Sequence, residues 1–66
     1  MENRLTPKEK EVIVELSKGQ SNLEIADKLN VSVNTIRTHL SRCYKKVNVK
    51  NRTELVIKYI NQNNKL

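Results

Sequence analysis

The sequence predicts an all-α fold, a four-helix helix-turn-helix domain. Three observations predict it. Helix-start signals recur four times within 66 residues, and each is followed by apolar residues at the three-and-four spacing of a helix. The lone Gly and the lone Pro both fall at helix boundaries. The second and third helices are separated only by Asn30-Val31-Ser32, a turn of the length that joins the two helices of a helix-turn-helix.

Thr6-Pro7-Lys8-Glu9 opens the first helix, expected at about 7–18. Thr6 suits the cap, Pro7 the first turn, and Glu9 can reach back to the cap amide. Val12, Ile13 and Leu16 should face the core, and Gly19 suits a left-handed end. Ser21-Asn22-Leu23-Glu24 is a second capping box, opening a helix over 22–29 with Ile25, Ala26 and Leu29 as its apolar stripe. Ala26 is small where the two helices of the motif approach. Asn30 tolerates the left-handed region, and Val31 can plug the core beneath the turn. Ser32 caps a third helix over 33–47, in which Ile36, Leu40, Cys43 and Val47 form one buried stripe. Asn48-Val49-Lys50 breaks the pattern, and Asn51-Arg52-Thr53-Glu54 starts a fourth helix over 52–62 with Leu55, Val56, Tyr59 and Ile60 on its apolar face. The polar tail from Asn61 to Leu66 is expected to fray.

Length and composition exclude much. The chain has room for one domain, residues 1–66, and little room for an enclosed active site. An apolar fraction of 36%, with two Tyr and neither Phe nor Trp, implies an aliphatic core. One Cys forms no internal disulfide and, with one His, builds no zinc site. This fits a reducing, cytoplasmic setting. No apolar run approaches membrane-spanning length, and Met-Glu-Asn-Arg-Leu-Thr-Pro lacks the apolar core of a signal peptide. No cofactor site is expected. No nucleophile–base pair, metal set or phosphate-cradling loop suggests an enzyme.

Charge is unevenly placed. Of the formal net charge of +6, residues 1–27 sum to −2, residues 28–53 to +7 without an acidic residue, and residues 54–66 to +1. A positive field centred on the third helix and its exit attracts a polyanion through phosphate neutralisation and counterion release. The alternative is a basic surface that serves solubility.

The residues of the third helix that lie away from its stripe are Asn34, Arg37, Thr38, Ser41, Arg42 and Lys45. Arg37 suits either a bidentate contact to a guanine edge or a phosphate. Thr38 offers a methyl and a hydroxyl to a thymine edge, or is a plain surface residue. Arg42, Lys45 and Lys46 suit phosphates, which position a helix without reading sequence. Asn34 and Thr35 could place polar groups near a phosphate in the first turn. His39, at the edge of the stripe, reads as a packed, hydrogen-bonded residue, and Cys43 as a small core residue. Glu9 and Glu11 read as capping and surface-pairing groups on a solvated helix. Leu55, Val56, Ile57, Tyr59 and Ile60 exceed what one packed face needs, so part of that surface, drawn from Val56, Ile57, Tyr59 and Ile60, could pair with a second copy; the alternative is that all of them serve the core.

Four blocks together, Leu5-Thr-Pro-Lys-Glu-Lys-Glu-Val12, Gly19-Gln-Ser-Asn-Leu-Glu-Ile-Ala26, Val31-Ser-Val-Asn-Thr-Ile-Arg-Thr-His-Leu40 and Lys45-Lys-Val-Asn-Val-Lys-Asn-Arg-Thr-Glu-Leu-Val56, resemble the LuxR-type helix-turn-helix domain, including the output domains of similar two-component response regulators. The resemblance covers roughly residues 5–60. It implies a domain that binds promoter DNA, usually as a dimer on two half-sites, with the third helix in the major groove and the fourth at the dimer contact. It implies base-facing roles for Arg37, Thr38 and Ser41, and phosphate-facing roles for Thr35, Lys46 and the Ser21-Asn22 helix start. Two positions depart from the pattern. Ser41 stands where many relatives have a longer basic or amide side chain, and Tyr59 where a small residue is common.

The function expected is that of a sequence-specific DNA-binding transcriptional regulator. Its expected partners are double-stranded promoter DNA, a second copy and RNA polymerase. The alternatives are a protein-interaction module and a nonspecific DNA binder. The leading Met admits either a complete small regulator or the output domain of a longer protein.

Overall fold

Capping chemistry divides the chain. A computed structural model describes residues 5–63, and in it α1 (Pro7–Ser17), α2 (Asn22–Leu29), α3 (Val33–Val47) and α4 (Arg52–Asn63) follow one another with no strand among the described residues. This is the all-α, four-helix arrangement that the caps and stripes predict. Both capping boxes form: Thr6 Oγ1 accepts from the Glu9 amide at 3.1 Å while the Thr6 amide donates to Glu9 Oε1 at 2.9 Å, and Ser21 and Glu24 repeat the exchange. At α4 the exchange is displaced by one residue. Asn51 Oδ1 accepts from the Glu54 amide, but Glu54 reaches back to the amide of Lys50.

The helix ends are equally local. Gly19 closes α1 at φ 87°, and Asn30 and Asn48 close α2 and α3 at φ 59°, the left-handed region that Asn enters at low cost. α1 stops one residue before the expected 18, because Lys18 already serves as its cap. α4 runs to Asn63, one residue past expectation, so residues 61–63 of the tail expected to fray are helical, and residues 64–66 lie outside the described ones. Lys58 Nζ donates to the Val47 carbonyl at 2.7 Å, satisfying one of the oxygens left open at the end of α3.

Val12, Ile13 and Leu16 of α1, Ile25 and Ala26 of α2, Ile36, Leu40 and Cys43 of α3, and Leu55 of α4 form one core. Leu29, Val31 and Val47 pack at its margin. Helix α3 packs against all three other helices, so its stripe is the seam of the molecule. Burial, with the Glu9 carboxylate nearby, pushes the Cys43 thiol up to about 11. That agrees with a core residue and leaves little thiolate at neutral pH.

Glu9 overturns one expectation. It is 2% exposed instead of solvated, and Lys46 Nζ of α3 lies 2.8 Å from its Oε1. Glu11 does sit at the surface, paired with Lys8. Glu15 is also buried and receives Lys28 of α2 at 3.3 Å and Lys18 at 3.4 Å, with Gln20 Nε2 closing on the same carboxylate. α1 therefore ties down both helices of the motif through buried carboxylates. Burial pushes the Glu9 carboxyl up, but the Lys46 hydrogen bond, the Thr6 amide and the Lys46 charge outweigh it and hold its pKa below the ordinary 4.5. Burial also opposes ionisation of Glu15, and there Lys28 and Lys18 outweigh it.

Removing one partner should orphan a buried charge. Lys46→Met is expected to lower the unfolding free energy by about 2 kcal/mol, less than a fully enclosed pair would lose because the lysine end is partly solvated. Adding Glu9→Gln, which keeps the cap acceptor, should restore at least half of that loss in a denaturant double-mutant cycle; strictly additive losses would show that the two do not act as a pair. A carboxyl whose folded pKa is depressed stabilises the fold above its unfolded value and loses that contribution as pH falls through the folded one. Thermal melts should therefore drop below pH 4.5, and Glu9→Gln should flatten that drop.

Candidate nucleic-acid interface

The turn between α2 and α3 sets how the two helices meet. The Val31 amide donates to the Ala26 carbonyl at 3.0 Å across the left-handed Asn30. Ser32 Oγ then accepts from the Thr35 amide at 3.0 Å and lies 2.9 Å from Thr35 Oγ1. Ala26 is 3% exposed, and both Val31 and Leu29 lean on the core. The seat of α3 is thus set by local hydrogen bonds and one small residue.

On the outside of α3, Asn34, Arg37, Thr38, Ser41 and Lys45 are exposed. Their spacing of i, i+3, i+4, i+7 and i+11 puts them on one face, opposite Ile36, Leu40 and Cys43, which are 0%, 4% and 0% exposed. Arg42 is exposed on the flank of that face. Among the described residues no carboxylate pairs with Arg37, Arg42 or Lys45. Two of the seven cations in residues 28–53 are paired with carboxylates of α1, Lys28 with Glu15 and Lys46 with Glu9. The cations that remain on α3 lie along its outer side.

The start of α2 is brought beside this face. Asn22 shares a shallow notch of about 250 Å³ with Arg37, Leu40, Ser41 and Tyr44. Ser21 is exposed, with its oxygen engaged in the capping box. The Thr35 hydroxyl is engaged with Ser32. Lys46 departs from the expectation of a free phosphate-binding cation, because its ammonium is already held by Glu9. His39 departs as well: it is half-buried, and its Nδ1 has no hydrogen-bond partner among the described residues.

On α4, Leu55 enters the core and Val56 and Tyr59 pack against it, while Ile57 and Ile60 are 53% and 42% exposed. The four apolar residues expected at a dimer contact therefore do not form one outward patch. Tyr59 lines a small cleft with Leu5, Ile13, Val47 and Leu55. Sequence reasoning missed Arg52, whose guanidinium donates to the Gln20 carbonyl at 3.1 Å and to Asn22 Oδ1 at 3.4 Å. The helix-start signal in which it sits gave no hint of partners so distant in sequence.

Residues 3–59 match the family described as bacterial regulatory proteins, luxR family. The chain belongs to the LuxR family. This is a family of DNA-binding transcription regulators and not of enzymes. The CsgBAC operon transcriptional regulatory protein of Escherichia coli K12 is 52% identical over 52 residues, 79% of this chain and 24% of that protein. The monoamine regulon transcriptional regulator of Klebsiella aerogenes is 46% identical over 52 residues, 79% of this chain and 23% of that protein. The response regulator protein VraR of Staphylococcus aureus is 40% identical over 53 residues, 80% of this chain and 25% of that protein. The chain spans about a quarter of the length of these relatives. Among the described residues no helix is long and apolar enough to cross a membrane, and no cluster of His, Cys, Asp or Glu could hold a metal ion.

The small residue between the motif helices should be hard to enlarge. Ala26→Leu is expected to cost about 1–3 kcal/mol by overpacking and to weaken duplex binding even where the chain remains folded, because α2 and α3 move apart. Denaturant melts and a binding titration on the same sample check both effects.

Proposed function

We propose that the chain is a sequence-specific DNA-binding module of a transcriptional regulator, laying α3 in the major groove of promoter DNA. The carrying observation is the outer face of α3, where Asn34, Arg37, Thr38, Ser41 and Lys45 stand exposed and the cations lack a carboxylate partner among the described residues. In this reading Arg37 and Thr38 face base edges, with Ser41 beside them. A guanidinium bonded to guanine O6 and N7 supplies about 1–3 kcal/mol of discrimination. Arg42 and Lys45, with Ser21, Asn22, Asn34 and Thr35 at the helix starts, face phosphates. Lys46 acts from behind, holding α3 on Glu9.

A second copy pairs through Ile57 and Ile60 of α4, with Val56 at the margin of the contact. These are two of the three large apolar side chains that stand exposed among the described residues, the third being Leu23 of α2. A notch of about 260 Å³ beside Ile57, lined also by Leu16, Gly19, Arg52, Thr53 and Val56, gives the partner's side chains somewhere to enter. A patch of this size makes a weak interface, so the dimer forms on DNA, with two recognition helices in successive major grooves about 34 Å apart. The setting is the cytoplasm, where promoter DNA is exposed.

In-vitro selection from a random duplex library is expected to enrich an inverted repeat with half-sites one helical turn apart; no enrichment would leave a nonspecific binder or a protein-interaction module. Duplex affinity should fall with salt at a log–log slope of magnitude about 6–10 for a dimer making that many phosphate contacts, and a slope near zero would sink the phosphate-driven reading. Arg37→Ala should flatten base preference at one position of the selected site; uniform weakening across sequences would reassign Arg37 to a phosphate.

A further inference from the structure

Helices α2 and α4 have no backbone packing against each other among the described residues. The Arg52 side chain spans the gap. One guanidinium nitrogen is anchored on the Gln20 carbonyl at 3.1 Å, in the turn between α1 and α2, and another meets Asn22 Oδ1 at 3.4 Å. The Asn51 cap, with its 2.9 Å bond from the Glu54 amide, holds the helix start from which Arg52 projects. The contact therefore joins two ordered helix starts.

The chemistry of this contact is directional. An amide side chain has an acceptor end and a donor end, and arginine has donors only. Asn22 must turn Oδ1 toward the guanidinium, which leaves the Nδ2 donor for another acceptor. A phosphate oxygen accepts only. An Asn22 turned the other way would offer it a second acceptor and repel it. Asn22 also lines the notch that contains Arg37 and Ser41, so its side chain lies beside the reading face.

We propose that Arg52 is a positioning residue of the DNA interface: by donating to Asn22 Oδ1 it orients the Asn22 amide so that Nδ2 is presented to a DNA phosphate. The proposal rests on the reading of α3 as the DNA-binding helix. It gives α4 a second task beside pairing, because the first residue of that helix sets a contact made by α2.

The test is a double-mutant cycle on duplex affinity with Arg52→Ala, Asn22→Ala and the pair, using a mixed-sequence duplex long enough for two successive major grooves. Salt is varied from about 50 to about 200 mM. Arg52→Ala is expected to weaken binding about 3- to 10-fold, the worth of one hydrogen bond, with the salt slope unchanged. In the Asn22→Ala background it should weaken binding no further. Losses that multiply, or a slope reduced by about one, would make Arg52 a direct phosphate contact and overturn the proposal. Unchanged affinity in Arg52→Ala, with a lowered melting temperature, would reduce the residue to a structural staple and overturn it too. If circular dichroism shows Arg52→Ala unfolded, the cycle is run with Arg52→Lys, which keeps the charge but lacks the planar fork that reaches two acceptors. Failure of the unaltered chain to bind any duplex would overturn the DNA reading together with this proposal, whereas the other adverse outcomes overturn the proposal alone.

Discussion

Helix α3 has to be buried along one side and bare along the other, and 66 residues leave it three other helices with which to achieve that. Ile36, Leu40 and Cys43 meet the first demand by forming the seam against which α1, α2 and α4 close. The second demand limits what those helices can cover. None crosses the face that carries Asn34, Arg37, Thr38, Ser41 and Lys45, which stays exposed. A core this small leaves polar groups around its margin to fix how the helices meet.

Those polar groups have a consistent sense. α1 supplies two buried carboxylates, and each receives a lysine from one helix of the motif: Glu9 takes Lys46 of α3, and Glu15 takes Lys28 of α2. The split in the sequence between an acidic first part and a basic middle is thus partly an internal matter. Some of the positive charge that suggests a polyanion serves the fold, while Arg37, Arg42 and Lys45 stand on the outer side of α3. A buried ion pair contributes little net stability against an apolar alternative, but losing either partner is expensive. Such pairs hold one arrangement of the helices more than they deepen it. That suits the proposed function, which depends on the angle at which a helix is presented.

What the sequence reveals follows from distance along the chain. The capping boxes at Thr6 and Ser21 join residues three apart, and the left-handed ends at Gly19 and Asn30 depend on a single residue type. Both are legible without a structure, and so are the helix bounds to within a residue. The core stripes repeat within one helix and are legible for the same reason. Glu9 and Lys46 lie 37 residues apart, and Arg52 lies 32 from Gln20. Periodicity carries no information about contacts that depend on how whole helices are placed. Glu9 shows the cost: its capping role is correct, yet it gives no sign of the lysine that buries it. Tyr59 shows another, since the spacing that puts it on an apolar face does not say whether that face meets its own chain or another. His39 lies at the edge of the stripe, and that position alone does not reveal that its Nδ1 lacks a hydrogen-bond partner among the described residues.

The division of α4 bears on how the proposed pairing works. Leu55, Val56 and Tyr59 are drawn toward the core, and only Ile57 and Ile60 are left outside. Two isoleucines per copy cannot hold free subunits together at low concentration, because association must first offset lost translational and rotational freedom. Duplex DNA changes that balance. Once one copy occupies a half-site, a second on the neighbouring half-site meets it at an effective concentration set by the spacing of the sites. A contact too weak to act alone then adds to two sets of DNA contacts at once. Under this arrangement half-site spacing is read by the apolar contact as much as by α3, since a wrong spacing separates the isoleucines even when both recognition helices fit. A stronger α4 interface would remove that discrimination by fixing the dimer before it meets DNA.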